Sequence, residues 1–343
     1  MDPVVYYSLD LLIPMMPLRL LLLTFFLLAS TYSQAQSLFD ETEVLRIQMR
    51  TDIPALLADR GDSVSYHRAT LTYEDAKVGS QINLDVKIRA RGNFRRQPFV
   101  CEFPPLRVRF SKKDRAGTMF QKYKKLKLVC HCQGDELIMQ EYLIYKVYQT
   151  LSPYGLRVRL AEITYDDQTR EKYPEKHYAF FIEDVEDMAD RMGGVEVKTP
   201  PTDLDSLNRY HMGMVYMFQY FIGNRDWDLA IGKNFKFIRI SQEEGVIPVP
   251  YDFDWSEVVN APYTGLPEDY ESRKMREICR SEEEYQKILE SYRNAEETIQ
   301  LLYKETKGIS GREKKRVLNF YQEFFDVIND PAYTASWFES GCK

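Results

Sequence analysis

Acidic and amide side chains at close spacing mark one stretch of this 343-residue chain. Asn224, Asp226 and Asp228 alternate, Asn234 follows, and Asp252 and Asp254 alternate again behind Pro250. Oxygen donors of this kind suit a hard cation such as Mg²⁺, which takes one or two protein carboxylates and leaves room for phosphate oxygens. A carboxylate on a loop can also accept the proton of a hydroxyl attacking phosphorus. The second pair follows the apolar run Val246 to Pro250, where a strand would deliver it to a cleft. Arg89, Arg91, Arg95 and Arg96 gather around Gly92. Guanidinium forks match phosphate and carboxylate oxygens, so this cluster is a candidate anion clamp, with Arg91 favoured.

The elements that must carry these residues are legible as alternation and caps. Ile82, Leu84, Val86 and Ile88 alternate with polar residues, which predicts a half-buried strand over 81–89. Strands are also expected at 106–110, 126–129, 156–165 and 177–182. Asp135 can cap a helix to about Leu151, and a short acidic helix follows Asp184 and ends at Gly193-Gly194. An apolar helix over 205–221 leads directly into Asn224, and 234–240 with 246–249 reads as a hairpin. Ser281 and Glu284 form a capping box, and a last helix spans about 312–329.

Composition narrows the function. Hydrophobic residues make up 44% and charged residues 29%, an ordinary globular balance. The formal net charge of −6 argues against nucleic acid as a partner. Arg19 followed by an apolar run and a Ser33-Gln34-Ala35 ending reads as an export signal cleaved near Ala35, leaving no retained membrane anchor. The expected destination is periplasmic or extracellular, where disulfides persist. Of five cysteines, Cys130 and Cys132 flank His131; they read as disulfide-bonded or buried thiols, since a second zinc-spaced ligand pair is missing. Arg60-Gly61-Asp62 is ordinary turn chemistry. The four histidines accompany no Ser or Cys nucleophile motif, so a hydrolase triad has no support.

Taken in order, Arg91-Gly92-Asn93, Leu126-Lys127-Leu128, Asn224-Arg225-Asp226-Trp227, Asn234 and Pro250-Tyr251-Asp252-Phe253-Asp254 resemble the pattern of the CotH-type spore-coat kinase-like family. The resemblance implies an α+β, two-lobed protein-kinase-like fold. An antiparallel-sheet N-lobe would occupy 36–183 and a mostly helical C-lobe 184–343, after the 1–35 signal. It implies ATP and Mg²⁺ as cofactors and a protein substrate as partner. By the resemblance, Asp226 is the catalytic base, and Asn234, Asp252 and Asp254 are the metal ligands. Lys127 contacts the phosphates, Glu141 orients it, and Glu183 marks a hinge near the adenine. The chain departs from the pattern in two ways. The loop from Asp226 to Asn234 is longer than in ordinary kinases, which leaves Asp228 as an alternative to Asn234, and no Gly-x-Gly-x-x-Gly loop is present.

The expected activity is therefore phosphoryl transfer from ATP to a protein Ser or Thr. Transfer of AMP or glutamyl groups on the same fold, and a non-catalytic envelope or surface binding protein, remain alternatives. A metal-dependent phosphoesterase is disfavoured by the scarcity of histidine.

Overall fold

Seven strands wrap one hydrophobic core. In the computed structural model, residues 37–75, 79–169, 175–241, 243–265 and 280–340 are described. The export signal expected over 1–35 lies outside them, as do Cys279 and Cys342. The first strand, β1 (Leu45–Thr51), buries every second residue. β2 (His67–Asp75), β3 (Ser80–Ala90), β4 (Leu106–Phe110) and β5 (Lys125–Val129) follow in antiparallel order. β6 (Val158–Asp167) and β7 (Glu175–Ile182) complete the set. Inward-facing Met49, Leu71, Ile88, Val108, Leu128 and Ile163 are excluded from solvent and fill the interior.

The sheet closes. β1 pairs antiparallel with β2 on one side and parallel with β6 on the other, giving the order β1-β2-β3-β4-β5-β7-β6. This corrects the expected fold class: the first half is a closed mixed barrel, not the open antiparallel sheet of a kinase N-lobe, so the two-lobed protein-kinase-like fold does not hold. The reason lies in β1 and β2, which carry the closure and were not foreseen as strands. Closure removes both sheet edges and satisfies their backbone groups.

Two short helices, α1 (Ile53–Ala58) and α2 (Lys112–Arg115), decorate the barrel. Helix α3 (Asp135–Leu151) packs across β6 and β7. A second core gathers α3, α4 (Val185–Arg191), α5 (Arg209–Phe221), α6 (Glu282–Glu305) and α7 (Gly311–Asn329). It also includes a three-stranded sheet ordered β10 (Ile247–Pro250), β9 (Phe235–Ile240) and β8 (Gly194–Glu196). The last described element is α8 (Pro331–Ser340). The capping box of α6 is present, with Ser281 and Glu284 each bonded to the other's backbone N–H. Strands β5, β6 and β7 serve both cores, because Leu128, Ala161 and Phe181 face the barrel while Val129, Leu160 and Phe180 face the helices.

Candidate functional site

Helix α5 is apolar on nearly all sides and is capped by Asn208, whose side chain accepts from the His211 N–H at 3.0 Å. Gly223, at φ 62°, ends it and turns the chain into Asn224. Asn224 is buried and acts as a positioning residue. Its amide donates to Gln219 Oε1 at 2.8 Å, and its Oδ1 accepts from the Asp226 N–H at 3.2 Å. Its carbonyl accepts from the Trp227 indole at 3.0 Å.

The long spacing from Asp226 to Asn234 has a local explanation. Asp228 and Lys233 exchange backbone hydrogen bonds and pinch off Leu229–Gly232 as a small loop. Asp228 Oδ1 caps that loop by accepting from the Ala230 and Ile231 N–H groups. Gly232, at φ 67°, lies so close to Pro200 that a Cβ would meet its Cγ at 2.7 Å, so glycine is required there. The pinch returns Lys233 and Asn234 to Asp226. Lys233 Nζ donates to Asp226 Oδ1, and Asn234 Nδ2 donates to Asp226 Oδ2 at 3.0 Å and to its carbonyl at 2.6 Å. Asn234, rather than Asp228, is thus the residue beside Asp226.

The Asp252 segment joins this loop through the Tyr251 N–H, which donates to the Asn234 carbonyl at 3.1 Å. A bridge between Asn224 and Ser256 ties the two stretches again. Asp252 is not on an extended strand: its φ is 65°, and its N–H donates to the Tyr145 hydroxyl at 3.0 Å. Asp252 and Asp254 nevertheless meet at one cation. Arg95 lies 2.7 Å from Glu141, 2.7 Å from Asp252 and 3.3 Å from Asp254, and its side chain is only 8% exposed. Tyr263 donates to Asp254 at 2.8 Å. The disulfide between Cys101 and Cys132 fastens the loop that carries Arg95 to the segment after β5. Cys130 stays free and buried, and burial pushes its thiol up to about 12.

One guanidinium faces three carboxylates here, and the excess negative charge has consequences. Burial, with Asp252 and Glu141 adding repulsion against the pull of Arg95, raises Asp254 to about 7. Glu141 is raised by burial, offset in part by Arg95. Burial acts to lower Arg95, but its three carboxylate partners hold it well above the ordinary guanidinium value.

Lys127 does not pair with Glu141, because Arg95 occupies that carboxylate. It points out of the barrel between the inward Leu126 and Leu128, with Nζ 5.1 Å from the Tyr251 ring centroid. Burial, then repulsion from Arg91, lowers it to about 8. Arg91 is lowered by burial and held up by Asp252. Glu183 is 1% exposed and fully engaged. It accepts from the Arg157 N–H and Nε at 3.0 Å each, and from Arg191 Nε at 3.1 Å and a terminal nitrogen of Arg191 at 3.0 Å. The structure thus gathers Asp226, Asn234, Asp252, Asp254, Glu141 and Arg95, sets Lys127 and Arg91 beside them, and leaves Glu183 as a joint between β7 and α4. Lys233, Tyr145 and Tyr263 were missed; the Lys-Asn pair at 233–234 was the one signal for any of them.

Among the described residues no cluster of three His, Cys, Asp or Glu could hold a metal ion. Mg²⁺ does not require one, since phosphates complete its shell. The donor set fits that pattern. Asn234 spends its Nδ2 on Asp226 and leaves Oδ1, and Asp252 is 37% exposed and spends Oδ1 on Arg95. Asp254 is enclosed by Arg95 and Tyr263. No protein-family model matches this chain, and a search of curated proteins finds none similar to it.

Proposed function

We propose that this chain transfers the terminal phosphoryl group of ATP to a hydroxyl of a protein acceptor. The observation that carries the reading is the convergence of Lys233 and Asn234 on Asp226, with Asp252 one hydrogen-bonded step away through Tyr251. In this reading Asp226 accepts the hydroxyl proton as the acceptor oxygen bonds to phosphorus and the bond to the departing ADP oxygen breaks. Lys233 holds Asp226 in place and offers its charge to the transferring group. Asn234 and Asp252 would hold Mg²⁺, whose charge offsets that of the phosphates. Lys127 and Arg91 supply cations for the remaining phosphate oxygens. The resemblance to the CotH-type family points to the same chemistry, without its fold. The Cys101–Cys132 disulfide suits an oxidising compartment, in keeping with export to the periplasm or beyond. Among the described residues, no helix is long and apolar enough to cross a membrane.

The test is Mg²⁺-dependent ATP binding by calorimetry, followed by product analysis. Asp252→Ala is expected to lose the Mg²⁺ dependence. Asp226→Asn is expected to bind ATP but transfer phosphoryl about 10²–10⁴-fold more slowly, the usual range for a general base. Release of pyrophosphate in place of ADP would reassign the reaction to AMP transfer. A second reading, a binding protein without transfer, draws on the fact that Arg95 and Lys233 already neutralise part of the acidic cluster. Wild-type protein that binds no ATP would decide for it.

A further inference from the structure

The outer face of the barrel carries an opposed row of cations. Strand register sets Arg68 opposite Lys87, Lys87 opposite Arg109, and Arg109 opposite Lys125, across four neighbouring strands. A second row, two residues further along, sets Arg89 opposite Arg107 and Arg107 opposite Lys127. Alternate residues on a strand share a face, so both rows lie on one surface. Like charges directly opposite on a sheet destabilise it, a cost offset only in part by the stacking of Arg89 and Arg109 on Tyr66. Among the described residues, Arg68, Lys87, Arg89, Arg107 and Arg109 have no carboxylate partner.

Two concavities lie on these rows. One, of about 850 Å³, runs from Arg50 and Arg68 to Arg109 and Lys124, and contains only two carboxylates, Asp85 and Asp114. The other, of about 330 Å³, is walled by Arg89, Arg91, Arg96 and Arg107, with Asp62 at its side. The Nε atoms of Arg89 and Arg96 are buried there without a hydrogen-bond partner. A buried, unsatisfied guanidinium N–H is costly, and an oxyanion between these guanidinium groups would offset that cost by pairing with their accessible terminal N–H donors.

We propose that this face is a docking groove for an extended acidic peptide segment, with the four-arginine pocket anchoring one carboxylate-rich end. Neighbouring strands stand about 4.8 Å apart, so the path from β1 to β5 is about 19 Å, the length of about six extended residues. Nucleic acid fits less well. Single strands bind by stacking on aromatic rings, and neither concavity is lined by an exposed aromatic. Tyr66, beside Arg89 and Arg109, is already covered by their guanidinium groups at 4.9 and 5.9 Å. The net charge of −6 also repels any long polyanion that overhangs the groove. An anionic lipid surface would need large exposed apolar side chains to insert; of the apolar residues lining the two concavities, Ala69, Val86, Ala90 and Phe110 are buried and Val64 alone is partly exposed.

Arg91 and Lys127 border both this groove and the phosphate site of the proposed function, so the experiment varies only groove residues outside that site. A fluorescein-labelled octaglutamate peptide is titrated into the full chain at low salt, with labelled (dT)₈ in parallel. The peptide is expected to bind saturably and to weaken at least tenfold in Lys87→Gln/Arg109→Gln and in Arg89→Gln/Arg107→Gln. Asp226→Asn should bind it like wild type even though it fails in transfer. The substitutions relieve opposed charge but each double variant loses one guanidinium contact with Tyr66, so both should melt within a few degrees of wild type. Absence of peptide binding, tighter binding of (dT)₈, unchanged affinity in both double variants, or a large fall in melting temperature that marks the rows as structural would each overturn the proposal.

Discussion

Lys127 and Asp254 show how single environments set chemistry. Lys127 is lowered to about 8 by burial and by Arg91, so it carries its charge below that pH and loses it above. If it contacts phosphate, ATP affinity should decline as pH rises through about 8. Lys127→Arg, which keeps its charge, should move that decline upward; an unmoved profile would remove Lys127 from the phosphate site. Asp254 behaves oppositely with respect to stability. Its folded value of about 7 exceeds the ordinary 3.8, so between those values the folded protein holds a proton that the unfolded chain has released. That stabilisation is complete below about pH 4 and is lost as pH rises through about 7. Asp254→Asn keeps polar partners for Arg95 and Tyr263, and should flatten the fall in melting temperature across this window. A slope identical to wild type would place the proton elsewhere in the Arg95 cluster.

At the level of elements, the loop between β3 and β4 matters most, because it brings Arg95 to α3 and to the segment after β10. Its covalent hold on the barrel is the Cys101–Cys132 bond, which closes a separation of 31 residues and is supported by hydrogen bonds from Arg60 and Gln133 to the loop's carbonyls. Loop-closure entropy for such a span gives about 3–4 kcal/mol. Cys101→Ala with Cys132→Ala should lower stability by about that amount. It should also disorder Arg95 enough to release Asp252, seen as weaker Mg²⁺-dependent ATP binding. Normal binding in a destabilised variant would show that the site is held without the bond. The 228–233 pinch is the corresponding device on the other side, and it works through backbone hydrogen bonds and Gly232 rather than a covalent link.

For the molecule as a whole, the two cores share a wall. Phe180 and Phe181 are adjacent in β7, yet one is buried among the helices and the other inside the barrel. Neither core can open without exposing that wall, so residues from Ser37 onward should melt in a single transition. Ile163→Ala in the barrel and Leu289→Ala in the helical core should each cost about 2–5 kcal/mol. Both should shift the same calorimetric peak. Two peaks that respond separately would show independent units. The charge is also distributed on this scale: a chain of net −6 concentrates unpaired cations on the outer face of β2–β5.

Local patterns specified much of this protein. Alternation alone marked β3, β4 and β5, and a Ser-Glu pair marked the start of α6, because side-chain period and caps depend on neighbours in sequence. The order of Asp226, Asn234, Asp252 and Asp254 was likewise visible as residue chemistry. Their partners were not. Arg95 is 46 residues from Glu141 and 157 from Asp252, and nothing local distinguishes it from Arg91 or Lys127 as the cation that would reach them. Glu183 is absorbed by Arg157 and Arg191 for the same reason. The closure of the sheet was hidden too, since the parallel pairing of β1 with β6 joins strands more than a hundred residues apart. Only the folded chain decides which long-range ion pairs and strand pairs form, because each depends on shape complementarity between surfaces that no short window of sequence contains.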